Sequence, residues 1–344
     1  MKRSIPLFIA AAAVIFVTAA ACEPKQVEMG EWPWGDGSED QEEETASWTE
    51  VSSDFAELPS HIKVYRSADI LNGKKAIAYI ATADLKETTF HVWGLNAPDL
   101  NGCKEPLQTP TQVYEANNAP ALVINAGFFY SDGGKNYSSS LEVNNGKLLS
   151  PNINYASEDW KTMYAPTRGV FLEHSDGSYE VAWTYYKDAQ NHWIYQNPAE
   201  NSYGQTPLPT PSATFPEEGR EFEAVNGIGG GPVLLKNGEI RNTATAELFD
   251  GTNGIMVDGS HPRTAIGITA DSRLVLFVCE GRNMTPGVAG FTTLEVAHIL
   301  KDFGCTDALN LDGGGSTMML VCGNEVIKPS DGSQRRVGSC VYVR

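Results

Sequence analysis

Thr306-Asp307-Ala308-Leu309-Asn310-Leu311-Asp312-Gly313-Gly314-Gly315-Ser316-Thr317 carries more information than any other stretch of this 344-residue chain. The apolar run 308–311 reads as a buried strand. It delivers a carboxylate, Asp312, into three consecutive glycines and two hydroxyl side chains. Residues without side chains let the backbone approach a ligand closely and take positive φ. Their N–H groups can form a concave anion seat. A carboxylate beside such a seat can do acid–base work or hold a sugar hydroxyl. The same letters also describe a plain glycine turn after a strand.

Just upstream, residues 292–303 have helical spacing, with Thr292 or Thr293 as the cap and Gly304 as the stop. The rest of the pattern is short and β-like. Residues 62–65, 76–82 and 89–94 open the folded part, and 121–124 is a buried strand ending at Asn125. Asn145-Gly146 and Asn237-Gly238 mark two hairpins. Residues 264–269 and 273–279 are apolar strands joined by a turn, and 318–322 and 338–343 close the sheet. The pattern predicts an α+β fold: strand-dominated mixed sheets with few helices in a single compact domain. The Pro-rich segment 206–211 reads as a surface insertion.

The N-terminus reads as an address. Lys2 and Arg3 precede an apolar run, 5–20, and small residues lead directly to Cys22. This predicts a signal peptide over 1–21, with Cys22 as the lipidated residue of an exported bacterial lipoprotein, periplasmic or at the cell surface. Residues 22–60 then read as an acidic flexible tether, because 23–58 hold twelve acids against the single base Lys25. Trp32, Trp34 and Trp48 are unusual there. The folded domain is expected over 61–344. Without Lys2 and Arg3 the charge balance is 23 bases against 43 acids, a net of −20. That surface repels nucleic acid and anionic lipid, so membrane contact runs through the lipid anchor alone. Five cysteines remain after Cys22, an odd number. Cys322 and Cys340, on two candidate neighbouring strands, are a possible bridge.

Four clusters carry candidate chemistry. Asp312 is the first. Arg263, in His261-Pro262-Arg263-Thr264, stands just ahead of an apolar strand, where a guanidinium can fork onto a phosphate. His261 beside it is a candidate acid or a hydrogen-bonded loop residue. Gly227-Ile228-Gly229-Gly230-Gly231-Pro232 is a second glycine seat that does not fit a dinucleotide fingerprint. Glu280, at the end of strand 273–279, either forms an acid pair with Asp312 or an ion pair with Arg282 or Arg263. Walker, HExxH and GxSxG motifs are absent from the sequence. No cofactor is required. Asp and Asn side chains leave Ca²⁺ or Mg²⁺ open, although no loop has EF-hand spacing.

Asn125-Ala126-Gly127-Phe128-Phe129, Gly229-Gly230-Gly231-Pro232 with Asn237-Gly238, Pro262-Arg263-Thr264-Ala265-Ile266-Gly267, Glu280-Gly281-Arg282 and Asn310-Leu311-Asp312-Gly313-Gly314-Gly315-Ser316 occur in that order. Together, over about 75–344, they resemble the phosphodiester glycosidase family. The resemblance implies hydrolysis of an α-linked sugar 1-phosphodiester, of the N-acetylglucosamine-1-phosphodiester type, in an extracytoplasmic glycan. It implies catalysis by Asp312, Glu280 and Arg263. It implies substrate contacts from Asn125, Gly127, Phe128, Gly230, Thr264, Gly314, Ser316 and Arg335. The sequence departs from the family pattern at Glu280, where Asp is more usual, and at Arg336, which follows Arg335. Residues 191–222 match nothing in it. A glycan-binding lipoprotein that keeps the pocket without turnover is the alternative, as is a metal-dependent phosphodiesterase. The enzyme reading requires Asp312, the Arg263 guanidinium and the Asn125 amide to share one crevice.

Overall fold

The computed structural model describes residues 47–251 and 255–344. The expected signal peptide, Cys22, Trp32 and Trp34 lie outside them. Strands make up 39% of the chain and helices 8%, so the fold is of the strand-dominated α+β class. The pairings within the described sheets are antiparallel. Their mixture lies in connection order, because neighbours in a sheet are seldom neighbours in sequence.

Three sheets position the site. The eight-stranded sheet runs, edge to edge, through Trp48–Glu50, Ile62–Ser67, Ala78–Asp84, Arg273–Cys279, Arg263–Thr269, Cys305–Asn310, Val233–Lys236 and Glu239–Ile240. The five-stranded sheet has Leu122–Asn125 at its centre, between Met319–Val321 and Ser339–Val343. The seven-stranded sheet includes Glu142–Asn144, Asn226–Gly229 and Arg168–Glu173.

Side chains alternate between the two faces of a strand. Along Arg273–Cys279, Leu274, Leu276 and Val278 enter the central core. Val275, Phe277 and Cys279 point to the opposite face, beneath the helix. The strand is covered on both sides, which is why it reads as an uninterrupted apolar run. The central core also takes Leu122, Ile124, Phe171, Ile228, Met319 and Val341, so all three sheets share it. The helix is Thr293–Phe303. Thr292 and Glu295 form a reciprocal capping box, and Gly304 closes it at φ 106°. A second helix, Pro110–Ala116, is capped by Thr109 and Gln112 with proline in its first turn. The cue Thr109-Pro110-Thr111-Gln112 was present in the sequence.

Two expectations are corrected. Among the described residues, paired structure is present before residue 61: Trp48–Glu50 pairs with Ile62–Ser67, and Trp48 meets Phe303 edge-on at 5.8 Å. Acidic composition misled here, because three backbone pairs and one aromatic contact hold a strand whose other side chains face solvent. Cys322 and Cys340 are both free thiols. Cys322 follows Met319–Val321 and Cys340 lies in Ser339–Val343, and Leu122–Asn125 runs between those two strands, which are therefore not neighbours. Residues 191–222 supply Asn191–Tyr195 and Arg220–Glu221, the edge of the seven-stranded sheet, with an exposed Pro-rich stretch between.

Candidate active site

The triple glycine is the crossing between two sheets. Cys305–Asn310 lies in the middle of the eight-stranded sheet, and Met319–Val321 belongs to the five-stranded one. At the crossing the backbone is tied to three elements in turn. Leu311 N–H donates to Thr264 O at 2.9 Å, Asp312 N–H to Ala126 O at 2.8 Å and Gly314 N–H to Pro262 O at 2.9 Å. Asn125, fully buried, is the joint. Its Nδ2 donates to Asp312 O at 2.6 Å, while its Oδ1 accepts from Thr264 Oγ1 at 2.8 Å and Met318 N–H at 3.0 Å. Asn125 and Thr264 thus position the site from beneath. Gly127 donates to Ser339 Oγ at 2.9 Å, and a side chain there would strike Ser140. Asn310 Nδ2 donates to Gly231 O at 2.8 Å, tying the second glycine cluster to the first.

Above this joint is a cavity of about 290 Å³ whose wall includes Phe128, His261, Arg263, Arg282, Asp312 and Arg335. Asp312 is half-buried at its floor. Burial pushes its carboxyl up to about 6, against the opposing pull of Ser316, Arg335 and the Gly313 backbone. Arg335 donates to Asp331 Oδ2 from Nη2 at 2.6 Å and from Nε at 2.9 Å, with Nη1 3.5 Å from Ser316 Oγ. Arg282 Nη1 is 3.6 Å from Asp331 Oδ1. One carboxylate therefore spaces two guanidinia. Gly314 has φ 60°, and a side chain there would collide with Arg282; one at Gly315 would collide with Arg335 and Asp331. The glycines serve mainly to admit these side chains. The expected amide seat is largely spent, because Gly314 N–H bonds Pro262 and Gly313 N–H faces Asp312.

Arg263 reaches the same cavity, but its role differs from the expected phosphate clamp. It is 3% exposed and donates to four backbone carbonyls: Phe291 at 3.0 Å, Ile255 at 3.2 Å, Met256 at 2.8 Å and Gly259 at 2.8 Å. The guanidinium is consumed in folding the 255–261 loop over the site. Glu280 does not line the cavity. Its Oε1 accepts Lys328 N–H at 3.0 Å, so it anchors the chain after Met319–Val321. It forms neither the expected acid pair nor an ion pair with Arg282, which turns to Asp331. His261 lines the cavity, and burial and the neighbouring Arg263 and Arg282 lower its pKa. Its ring is uncharged at neutral pH, which suits hydrogen bonding better than acid catalysis.

The sequence reading missed Arg282 and Asp331 as site residues. Arg282 and Asn283 both sit at φ 55°, a conformation non-glycine residues rarely adopt and one that sequence does not announce. Gly230 and Phe128 line a second cavity, of about 810 Å³, which shares Phe128 and Ile255 with the first. Among the described residues no group of three or more His, Cys, Asp or Glu side chains could hold a metal ion.

A family profile described as phosphodiester glycosidase matches residues 118–344. The chain belongs to the phosphodiester glycosidase family. The family match starts later than the resemblance at residue 75, so the strands before 118 lie outside it. Among characterised relatives, N-acetylglucosamine-1-phosphodiester alpha-N-acetylglucosaminidase of Homo sapiens is 33% identical over 113 residues, and that of Mus musculus 31% over 113 residues. Each alignment covers 31% of this chain and 21% of the relative. An uncharacterised prophage-derived protein of Bacillus subtilis strain 168 is 38% identical over 77 residues, covering 22% of this chain and 12% of its own length. These matches span about a fifth or less of the curated relatives. The zebrafish N-acetylglucosamine-1-phosphodiester alpha-N-acetylglucosaminidase catalytic domain, auto-inhibited by its pro-peptide, superposes with TM-score 0.55 at 19% identity. That superposition covers 84% of this chain and 85% of the zebrafish one. A Synechocystis protein of unassigned function superposes with TM-score 0.52 at 18% identity, covering 82% and 62% of the two chains. Both likenesses concern the fold.

Proposed function

We propose that this member of the phosphodiester glycosidase family hydrolyses α-linked sugar 1-phosphodiesters, of the N-acetylglucosamine-1-phosphodiester type, at the bond between the anomeric carbon and the phosphate oxygen. The supporting observation is the half-buried Asp312 beside the Arg282–Asp331–Arg335 cluster. Arg282 and Arg335 receive the phosphodiester anion, whose single charge balances the net positive charge left by two guanidinia and Asp331. Ionised Asp312 takes a proton from water as it attacks the anomeric carbon. The leaving phosphate monoester is stable as an anion and needs no proton from the protein. Phe128 offers a face for the sugar ring. Arg263, Asn125 and Thr264 act through the backbone they hold.

Hydrolysis in ¹⁸O-labelled water tests this. Label in the released sugar is expected; label in the phosphate would instead mean cleavage at phosphorus, the metal-dependent alternative. Non-catalytic glycan binding drew its support from the Glu280 departure, and that support weakens because Glu280 does not face the cavity. We also infer export and lipidation at Cys22, on the strength of Lys2, Arg3, the apolar run and the small residues before the cysteine. A mature N-terminus other than a lipid-modified Cys22, read by mass spectrometry, would remove the anchor.

A further inference from the structure

The second cavity is lined by a guanidinium whose hydrogen-bonding capacity is not filled. Arg168 opens the strand Arg168–Glu173 and is 7% exposed. Its guanidinium carbon lies 4.0 Å from the centroid of the Phe249 ring. Stacking engages the face of a guanidinium and leaves its N–H edge unused. Nε and Nη1 find no hydrogen-bond partner and are closed to solvent, so the guanidinium meets the cavity through the rest of its surface. Glu247 acts on it electrostatically but gives it no hydrogen bond: its oxygens accept Gly169 N–H at 2.7 Å, Val233 N–H at 2.8 Å and the Thr243 hydroxyl. Burial lowers Arg168 to about 10, so it stays cationic at neutral pH.

Buried guanidinium donors are costly to leave unpaired. Arg263 shows how this chain satisfies one when architecture is the only purpose. Arg168 differs, and it lines a cavity of about 810 Å³ walled by Phe128, Tyr155, Trp160, Tyr203 and Phe249. That size suits a sugar unit or two, and aromatic faces suit pyranose rings. Trp160 is 73% exposed at the rim, where an indole has no packing reason to be. The cavity meets the Asp312 cavity at Phe128 and Ile255.

We propose that this aromatic cavity is a subsite for an anionic pyranoside, whose carboxylate or phosphate accepts hydrogen bonds from Arg168 while its ring lies on the aromatic wall. Resting on the proposed phosphodiester hydrolysis, the subsite takes the aglycone side of the substrate. The full enzyme would then select phosphodiesters whose second partner is an acidic or phosphorylated sugar.

Calorimetric titration of the full chain with methyl α-glucuronide, glucose 6-phosphate and neutral methyl α-glucoside tests it. At least one anionic probe is expected to bind about tenfold or more tightly than the neutral one, as for hydrogen bonds to a charged donor. Which anion wins names the carboxylate or the phosphate. Because Arg282 and Arg335 also attract anions, the variants are compared on an Arg282→Gln/Arg335→Gln background, where Arg168→Gln should abolish the preference and Trp160→Ala should weaken both classes of probe, with folding checked by circular dichroism. Equal binding of all three probes by the unaltered chain overturns the subsite even if Arg168→Gln fails to fold. The catalytic reading is scored separately, on an N-acetylglucosamine 1-phosphodiester with a methyl aglycone. Cleavage of that compound without anion preference sinks only the subsite. Anion preference without cleavage sinks only the hydrolase.

Discussion

Arg263 and Arg168 are both withdrawn from water, yet they are satisfied in opposite ways. Arg263 spends its donors on four carbonyls and shapes a loop. Arg168 lies on a phenyl ring with two nitrogens unmatched. Between these extremes stand Arg282 and Arg335, which share Asp331 at a cavity wall. A guanidinium near a binding cavity is therefore not by itself a ligand-binding group. Its remaining donors determine its role, and only the packed structure counts them.

Substitutions can break or sharpen that distinction. The largest effect belongs to the group the arginines surround. Asp312→Asn is expected to lower kcat/KM on a sugar 1-phosphodiester by about 10²–10⁴-fold, the usual range for a lost acid–base group. A variant that turns over normally would move the base elsewhere. Arg263→Gln should act on stability, leaving the Phe291, Ile255, Met256 and Gly259 carbonyls short of donors. A loss of ~2–4 kcal/mol in urea unfolding is expected for stranding several buried groups. Unchanged stability would return Arg263 to the list of phosphate ligands. Arg282→Gln and Arg335→Gln should do the reverse, each costing about tenfold to a hundredfold in kcat/KM with unfolding shifted by less than ~1 kcal/mol, because their ion pairs are partly exposed.

The remaining effect is a pH dependence. Asp312 titrates near 6 when folded, against 3.8 for an ordinary Asp. The folded state holds the proton more tightly, so ionised Asp312 costs stability above the folded value. The cost fades as pH falls and is gone below the unfolded value. Asp312→Asn should therefore melt higher than the unaltered protein at about pH 7.5 and equally at about pH 3.5, by calorimetry. Since the proposed mechanism needs the ionised form, kcat/KM should rise as pH passes through about 6. A fall across that range would make Asp312 the acid.

Local signals gave much of the fold in advance. The helix with Thr292 and Gly304 at its ends, the hairpins at Asn145-Gly146 and Asn237-Gly238, and the strand ending at Asn125 are all set within a few residues. The expected meeting of Asn125, Arg263 and Asp312 in one crevice is found only in part: Arg263 and Asp312 line one cavity, while Asn125 is buried beneath it and joined to Thr264 and Asp312 by hydrogen bonds. Trp48–Glu50 was hidden by acidic neighbours, and Glu280 looked like an acid because a strand end commonly faces a cleft.

What the sequence determined alone was the helix Thr293–Phe303, the two Asn-Gly hairpins and most of the apolar strands. These follow from backbone sterics and apolar periodicity, which act over a few residues. Only the tertiary structure decided which arginine spends its donors on the protein and which keeps them for something else. Hydrogen-bond capacity is filled by whatever packing brings near, and for Arg263 that includes Phe291, 28 residues along the chain.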